Sequence, residues 1–308
     1  MLVKIGGAGS LEQAALSLYF PASGDFNREF RHVSDPLSPP LVVRGVWRQD
    51  TIASMGFFLG TAGWTVPKQH SGLLPARSKS DKPSHLERYA CRLRCVEINS
   101  SFYRPHRHLT WERWAETTPD DFRFAVKMPK AVTHEAQLVN TGGALLEFFD
   151  AVRGLREKLG PVLIQLPPKL PFDETLAREF FTTLRELHEG AVALEPRHPS
   201  WFAAPVDRLL RDFEVSRVAA DPPKGSELAA QPGGWLGLQY WRLHGSPRTY
   251  YSNYDKKWLE TFADQLRLIH SASVDKEMWV IFDNTALGHA TANAVFLQDE
   301  LSRCMRIQ

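Results

Sequence analysis

The richest run of chemically capable side chains is Glu195-Pro196-Arg197-His198. It sets a carboxylate, a guanidinium and an imidazole directly after the apolar run Val192-Ala193-Leu194. A carboxylate near an imidazole can serve as general acid or base, and a guanidinium can grip a carboxylate or phosphate through two parallel N–H donors. A strand buried on both faces has little room for charge, so these groups belong at or beyond its C-terminal end. That is the end where α/β sheets and barrels bind ligands. A structural Glu–Arg pair closing the strand would use the same residues. Repetition weighs against it.

Other apolar runs end alike. The first gives Thr61-Ala62-Gly63-Trp64, and the second gives Glu97-Ile98-Asn99 followed by Ser100-Ser101-Phe102-Tyr103-Arg104. The third yields Lys127 with His134 in the loop beyond it, the fourth Gln165, and the sixth Asp221 before Pro222-Pro223. Arg242-Leu243-His244-Gly245 and Asp283-Asn284 close the last two. In Glu97-Ile98-Asn99 and Arg242-Leu243-His244 the polar side chains share one face, because a strand alternates its side chains.

If these ends ring one mouth, Glu195 is the expected general acid or base, with Glu97 or Asp221 as counterpart and His244 as proton shuttle. Lys127, Arg197 and Arg242 would hold an anion, with Asn99, Gln165, His198, Asp283 and Asn284 lining the same pocket. Trp64, Tyr103 and Trp201 would stack a sugar or base. No cofactor is evident. A divalent metal fits the acids and imidazoles, and the cations among them could equally supply its charge. A salt-bridge network without a ligand is the plainer alternative.

Such a ring needs a scaffold. Strands are expected over 57–61, 95–98, 122–126, 162–165, 192–195, 217–221, 239–243 and 278–282, with helices over 83–92, 110–116, 143–158, 175–187, 205–213, 256–270 and 290–304. Asp173 should cap the helix at 175–187. Residues 222–234 show no helical period, so a loop should replace the sixth helix. Repeated βα units of this number predict an α/β fold of the TIM (β/α)8-like barrel type. No Gly-x-Gly-x-x-Gly follows a strand, which removes the main support for a dinucleotide fold.

The chain has 308 residues, 43% hydrophobic and 23% charged, with net charge +2. That is the composition of a soluble globular protein, without bulk attraction to nucleic acid or membrane. No run of about 18 apolar residues exists to span a bilayer. Three cysteines argue for a reducing, cytoplasmic setting, and Cys91 and Cys95 read as buried thiols rather than a zinc pair. Residues 1–56 read as a short irregular N-terminal extension, with a short helix at 11–20 and a Pro-rich loop at 21–40, or as a start assigned upstream of Met55. The barrel domain would then span 57–308.

Several features invite plainer readings. His106 and His108 suit a solvated turn better than a metal pair, and Trp111 with Trp114 reads as the core face of a helix. Tyr250-Tyr251-Ser252-Asn253-Tyr254 reads as a lid or stacking loop, or as loop packing. Gly288-His289-Ala290 offers backbone N–H groups where barrels often hold phosphate, and His289 could join the mouth.

Taken in order, Leu59-Gly60-Thr61-Ala62-Gly63-Trp64, Val96-Glu97-Ile98-Asn99-Ser100-Ser101-Phe102-Tyr103, Phe124-Ala125-Val126-Lys127-Met128-Pro129, Leu163-Ile164-Gln165-Leu166-Pro167-Pro168, Glu195 to Phe202, Arg242-Leu243-His244-Gly245 and Phe282-Asp283-Asn284 resemble the YecE-like family. The resemblance runs from about residue 57 to 302. It implies a TIM barrel and supplies no reaction. Two functions fit the residues: an enzyme performing acid–base chemistry on a small anionic or sugar-like substrate, or a protein that binds or processes nucleic acid through mouth arginines and the aromatic loop. A ligand-binding barrel without chemistry is a third.

Overall fold

The computed structural model describes residues 56–74, 83–272 and 276–304. The expected extension, its helix at 11–20, its Pro-rich run at 21–40 and Met55 lie outside the described residues.

The apolar runs become strands β1 (Phe57–Ala62), β2 (Cys95–Ile98), β3 (Arg123–Lys127), β4 (Leu159–Gln165) and β5 (Val192–Glu195). The sixth run is interrupted at Val218, giving β6 (Val215–Arg217) and β7 (Ala219–Asp221). A two-residue β8 (Gly233–Gly234), β9 (Leu238–Leu243) and β10 (Glu277–Phe282) complete the set. Parallel pairing runs from β1 through β2, β3, β4 and β5 to β6, and from β7 through β9 and β10 back to β1. Since β6 and β7 are joined through Val218, the ring closes as a TIM (β/α)8-like barrel. Val218 donates its N–H to the Leu194 carbonyl at 2.9 Å, which carries the wall across the interruption. β8 lies antiparallel on β6.

Among the described residues eight α-helices lie between and after the strands: α1 (His85–Ala90), α2 (Ser100–Tyr103), α3 (His108–Glu116), α4 (Gly142–Val152), α5 (Glu174–Leu187), α6 (Ala204–Asp212), α7 (Lys256–Ser271) and α8 (His289–Cys304). Their starts follow capping chemistry. Asp173 accepts the Leu176 N–H at 2.9 Å, Asp255 accepts that of Trp258 at 2.8 Å, and Ser84 with Glu87 forms a reciprocal capping box. No α-helix stands between β7 and β9; a 3-10 turn at Glu227–Ala230 takes its place. The helix expected over 143–158 ends at Val152, and 3-10 turns continue it. At Gly154 a Cβ would sit 2.7 Å from the His108 carbonyl, so α3 presses directly on this backbone, and the helical path breaks at Arg156, whose φ is 54°. No described helix is long and apolar enough to cross a membrane.

Strand alternation sorts the side chains into two cores. Val96, Ile98, Phe124, Val126, Val162, Ile164, Val192, Leu194, Trp241, Leu243, Val280 and Phe282 face the helices. Cys95, Ala125, Leu163, Ala193, Val218, Tyr240, Trp279 and Ile281 fill the barrel. Small residues on β2, β3 and β5 leave the space that the Tyr240 and Trp279 rings occupy, stacked with centroids 6.1 Å apart. Burial of this order, at about 25 cal/mol per Å² of apolar area, is what holds the wall in register.

β1 approaches β2 closely at Gly60, where a Cβ would overlap the Cys95 carbonyl oxygen. Gly60→Ala should therefore lower stability by about 1–3 kcal/mol through overpacking against backbone that cannot yield. Urea denaturation of the purified variant measures it.

Candidate active site at the barrel mouth

One step of two residues along each strand lifts the interior from apolar to charged. Above Cys95 stands Glu97, above Ala125 Lys127, above Leu163 Gln165, above Ala193 Glu195, above Tyr240 Arg242 and then His244, and above Ile281 Asp283. All seven are buried. This layer stands at the C-terminal ends of the strands.

Arg242 occupies its centre. Its Nε donates to Glu97 Oε2 at 2.9 Å, and Nη2 donates to Glu97 Oε1 at 2.7 Å and to Asp283 Oδ2 at 3.1 Å. Its Nη1 donates to Glu195 Oε2 at 2.6 Å. Tyr240 adds its hydroxyl to Glu97 Oε2 at 2.9 Å. Glu195 also accepts from Gln165 Nε2 at 2.9 Å and from Arg197 Nη2 at 3.0 Å. The imidazole of His244 bridges the two remaining acids, with Nε2 at 3.2 Å from Glu195 Oε1 and Nδ1 at 3.0 Å from Asp283 Oδ2. Lys127 gives Nζ to Gln165 Oε1 at 2.8 Å and rests 4.2 Å from the centroid of the Phe102 ring.

The protonation states follow. Burial alone would raise the Glu195 carboxyl, but Arg242, His244 and Arg197 outweigh it and hold it well below the usual carboxylate range. Burial likewise pushes Asp283 up, and Arg242 and His244 pull it below its ordinary value. His244 moves the other way: burial disfavours its charge, yet Glu195 and Asp283 prevail and raise it. Both ring nitrogens face carboxylate oxygens, an arrangement that favours the imidazolium with an N–H on each. Lys127 is brought down to about 8, first by burial and then by Arg242, against the pull of Glu97, Glu195 and Asp283.

The strand ends thus bring together Glu97, Lys127, Gln165, Glu195, Arg197, Arg242, His244 and Asp283. Asp221 is drawn aside. Its Oδ2 accepts the Tyr254 hydroxyl at 2.6 Å, and the same hydroxyl accepts the Gly245 N–H at 2.9 Å. Asn284 donates from Nδ2 to Ser252 O at 3.0 Å and to Asn293 Oδ1 at 2.8 Å, anchoring the loop after β9. Asn99 keeps a buried Oδ1 without a hydrogen-bond partner. His198 caps the 3-10 turn Pro199–Phe202, its Nδ1 lying 2.8 Å from Ser200 Oγ and 3.3 Å from Ser200 N.

The aromatic expectations need correction. Trp201 is not a stacking platform: it is core, 1% exposed, with Nε1 donating to Leu170 O at 3.0 Å. Trp64 packs edge-on against Trp114 at 5.0 Å. Tyr103 alone of the three stands out, 71% exposed. Tyr254 is buried, whereas Tyr250 lays its ring edge-on to His244 at 5.8 Å. The backbone cradle expected at Gly288-His289-Ala290 is spent internally, since Gly288 N donates to Thr285 O and Ala290 N to Asn284 O. His289 is the first residue of α8. His106 is half-buried, packing edge-on against Trp111 and Trp114 with a ring nitrogen 2.8 Å from Ser100 Oγ, while His108 stays exposed. Cys95 is buried inside the barrel, its thiol pushed up by burial and by Glu97. Among the described residues no group of three or more His, Cys, Asp or Glu side chains is arranged to hold a metal ion. The carboxylates that might have been ligands are turned onto Arg242.

Tyr240 and Phe102 were not singled out from sequence. Tyr240 had a usable signal, since it alternates with Arg242 and His244 on one face of β9. Phe102 had none, because its position depends on how α2 turns after β2.

A closed parallel barrel carrying Glu97, Lys127, Gln165, Glu195, Arg242, His244 and Asp283 on successive strand ends can now be set beside known proteins. A family model described as "Protein of unknown function DUF72" matches residues 58–307. The chain belongs to the DUF72 family. It is 33% identical to the UPF0759 protein YecE of Escherichia coli (strain K12) over 143 residues, 44% of this chain and 52% of YecE. The match thus spans about half the length of YecE. The UPF0759 protein YunF of Bacillus subtilis is 24% identical over 268 residues, 77% of this chain and 91% of YunF. Among solved structures, a DUF72 family protein from Thermotoga maritima superposes with a TM-score of 0.61 at 23% identity, covering 81% of this chain and 99% of that one. One from Enterococcus faecalis gives 0.62 at 20% identity, covering 80% and 95%. These neighbours share the DUF72 barrel.

Two predictions follow from the charges in this DUF72 mouth. Arg242→Met strands Glu97 and Glu195 without their cation and should cost about 3–5 kcal/mol, whereas Arg197→Ala at the rim should cost about 1 kcal/mol or less. Urea midpoints of both variants decide this. For Lys127 the folded value of about 8 lies below the unfolded value near 10.4, so the unfolded chain binds more protons between them. Wild type should therefore gain stability on Lys127→Met as pH rises from about 8 to about 10.4, and denaturation at stepped pH reads the slope.

Proposed function

We propose that the mouth is the active site of an enzyme that moves protons on a small anionic or sugar-like substrate. The observation that carries this reading is the Glu195–His244–Asp283 chain, an imidazolium held between two carboxylates on the floor of a cationic mouth. Asp283 engages His244 and Arg242 through Oδ2 only. Its other oxygen takes no hydrogen bond among the described residues, which leaves it to accept a hydrogen bond from a substrate hydroxyl and orient it. His244 then passes charge between Asp283 and Glu195 without water. Arg197, one-fifth exposed, and Lys127 draw the anion in. Lys127, at about 8, exchanges a proton near neutral pH, the range in which general acids and bases are effective.

Glu97 has a different task on this reading. Two bonds from Arg242 and one from Tyr240 engage it, so it positions Arg242 rather than meeting substrate. The floor must stay rigid while the rim changes charge, and a doubly bonded guanidinium provides that.

A second reading, a single-stranded nucleic acid lying across the mouth, draws on exposed Tyr103 and on Arg248, whose guanidinium lies 4.0 Å from the Tyr251 ring centroid. Bases could stack there. Thermal shift with inorganic phosphate, sugar phosphates and short oligonucleotides separates the two. A small anion at a hundred times its dissociation constant should stabilise by about 2.7 kcal/mol, and Arg197→Ala should remove the effect. Stabilisation by oligonucleotides alone, falling steeply with salt, would favour the second reading. A flat response to every anion would sink the first.

A further inference from the structure

Lys127 stands in a mouth with three buried carboxylates and pairs with none of them. Glu97 is taken by Arg242 and Tyr240, Glu195 by Arg242, Arg197, Gln165 and His244, and Asp283 by Arg242 and His244. What Lys127 receives instead is one neutral acceptor, Gln165 Oε1 at 2.8 Å, and one aromatic face, Phe102 at 4.2 Å. Gln165 is itself fixed, since its amide nitrogen donates to Glu195 Oε2 at 2.9 Å and its oxygen must therefore face the lysine. A lysine whose role was charge pairing would sit on a carboxylate. This one is held away from them by an amide.

His134 shares the platform. Its ring meets Phe102 edge-on at 4.9 Å, and its Nδ1 lies 2.9 Å from Thr133 Oγ1. Partial burial lowers its pKa, and the nearby Lys127 and Arg197 charges lower it further. Desolvated lysines beside other cations are the ones that act as amine nucleophiles.

We infer that Lys127 is a covalent amine catalyst that forms an imine with a small carbonyl compound bearing a carboxylate or phosphate, whose anionic group Arg197 holds. This deepens the proton-transfer reading and rests on it for the anion. The step balances within the mouth. The Nζ lone pair forms a C–N bond to the carbonyl carbon while the C=O π pair moves to oxygen. Both amine hydrogens end on that oxygen, which leaves as water as the C=N bond forms. His134 takes the first proton from nitrogen and gives it to the alkoxide, then carries the second to the departing hydroxyl. Near its pKa of about 8 a large share of Lys127 carries the lone pair this needs, because burial and Arg242 resist its protonation more than Glu97, Glu195 and Asp283 favour it.

The experiment is reductive trapping. The full chain is incubated with glyoxylate or glycolaldehyde phosphate, reduced with borohydride, and mapped by peptide mass spectrometry. Uncharged glycolaldehyde serves as control. The expected result is about one equivalent of label on Lys127, at least tenfold above any other lysine, rising to half its maximum near pH 8 and suppressed by inorganic phosphate. Lys127→Arg, checked by circular dichroism to be folded, should lose it, and Arg197→Ala should lose the preference for charged over uncharged carbonyls. Label spread evenly over surface lysines, with Lys127→Arg labelled as heavily as wild type, overturns the inference. If phosphate still raises the melting temperature in that case, the anion-binding mouth survives and only the amine chemistry falls. Selective labelling by glycolaldehyde, with no advantage for either anion and no phosphate shift, overturns the anionic substrate instead.

Discussion

A guanidinium shut away from water is tolerable only where anions meet it with good geometry, and Arg242 meets three. Four of its N–H groups reach Glu97, Glu195 and Asp283, which arrive on β2, on β5 and just beyond β10. Removing any of these partners would leave charge buried in a medium that cannot solvate it. Strand register is thereby tied to electrostatics, because a slip of one residue would turn every carboxylate into the apolar layer under the helices. The barrel could close without this cluster, but the cluster could not exist without a closed barrel.

The same arrangement decides what the rest of the mouth can do. Arg242 consumes the basicity of the acids around it, so Glu195 and Asp283 stay ionised and weakly basic, and His244 stays charged between them. Lys127 is the group left near its titration point, with Gln165 relaying its position to Glu195. Arg242, expected at the rim as a ligand grip, is instead the floor. Arg197, two residues beyond Glu195, keeps the exposure that gripping an anion requires.

Much of this was legible in the primary structure because strands alternate. A polar residue two positions after a buried small one, as in Ala125 to Lys127 or Ala193 to Glu195, must point up the same interior column. The missing sixth helix was visible in the Pro- and Gly-rich run after Asp221, whereas the break at Val218 inside the strand expected over 217–221 was not. What alternation could not reach was anything set by a returning loop. Asp221 looked like the partner of Glu195 until Tyr254, 33 residues downstream, claimed its carboxylate. Trp201 looked like a stacking surface because it follows a strand end, yet the turn begun at Pro199 rotates it into the core. Phe102, the platform of Lys127, depends on a helix of one turn whose direction no periodicity encodes.

The loop after β9 folds back over His244. Gly245 at a φ of 92° lets it double back, Asn284 ties Ser252 to the barrel, and Tyr250 covers the imidazole. With both ring nitrogens facing carboxylates and no exposed surface, the imidazolium has no direct contact with solvent. Its hydrogens reach water by way of those two carboxylates or when that loop opens locally, so they exchange more slowly than those of free imidazole in water. The charge of the floor is thus set first by its carboxylate neighbours and meets bulk acidity only through them.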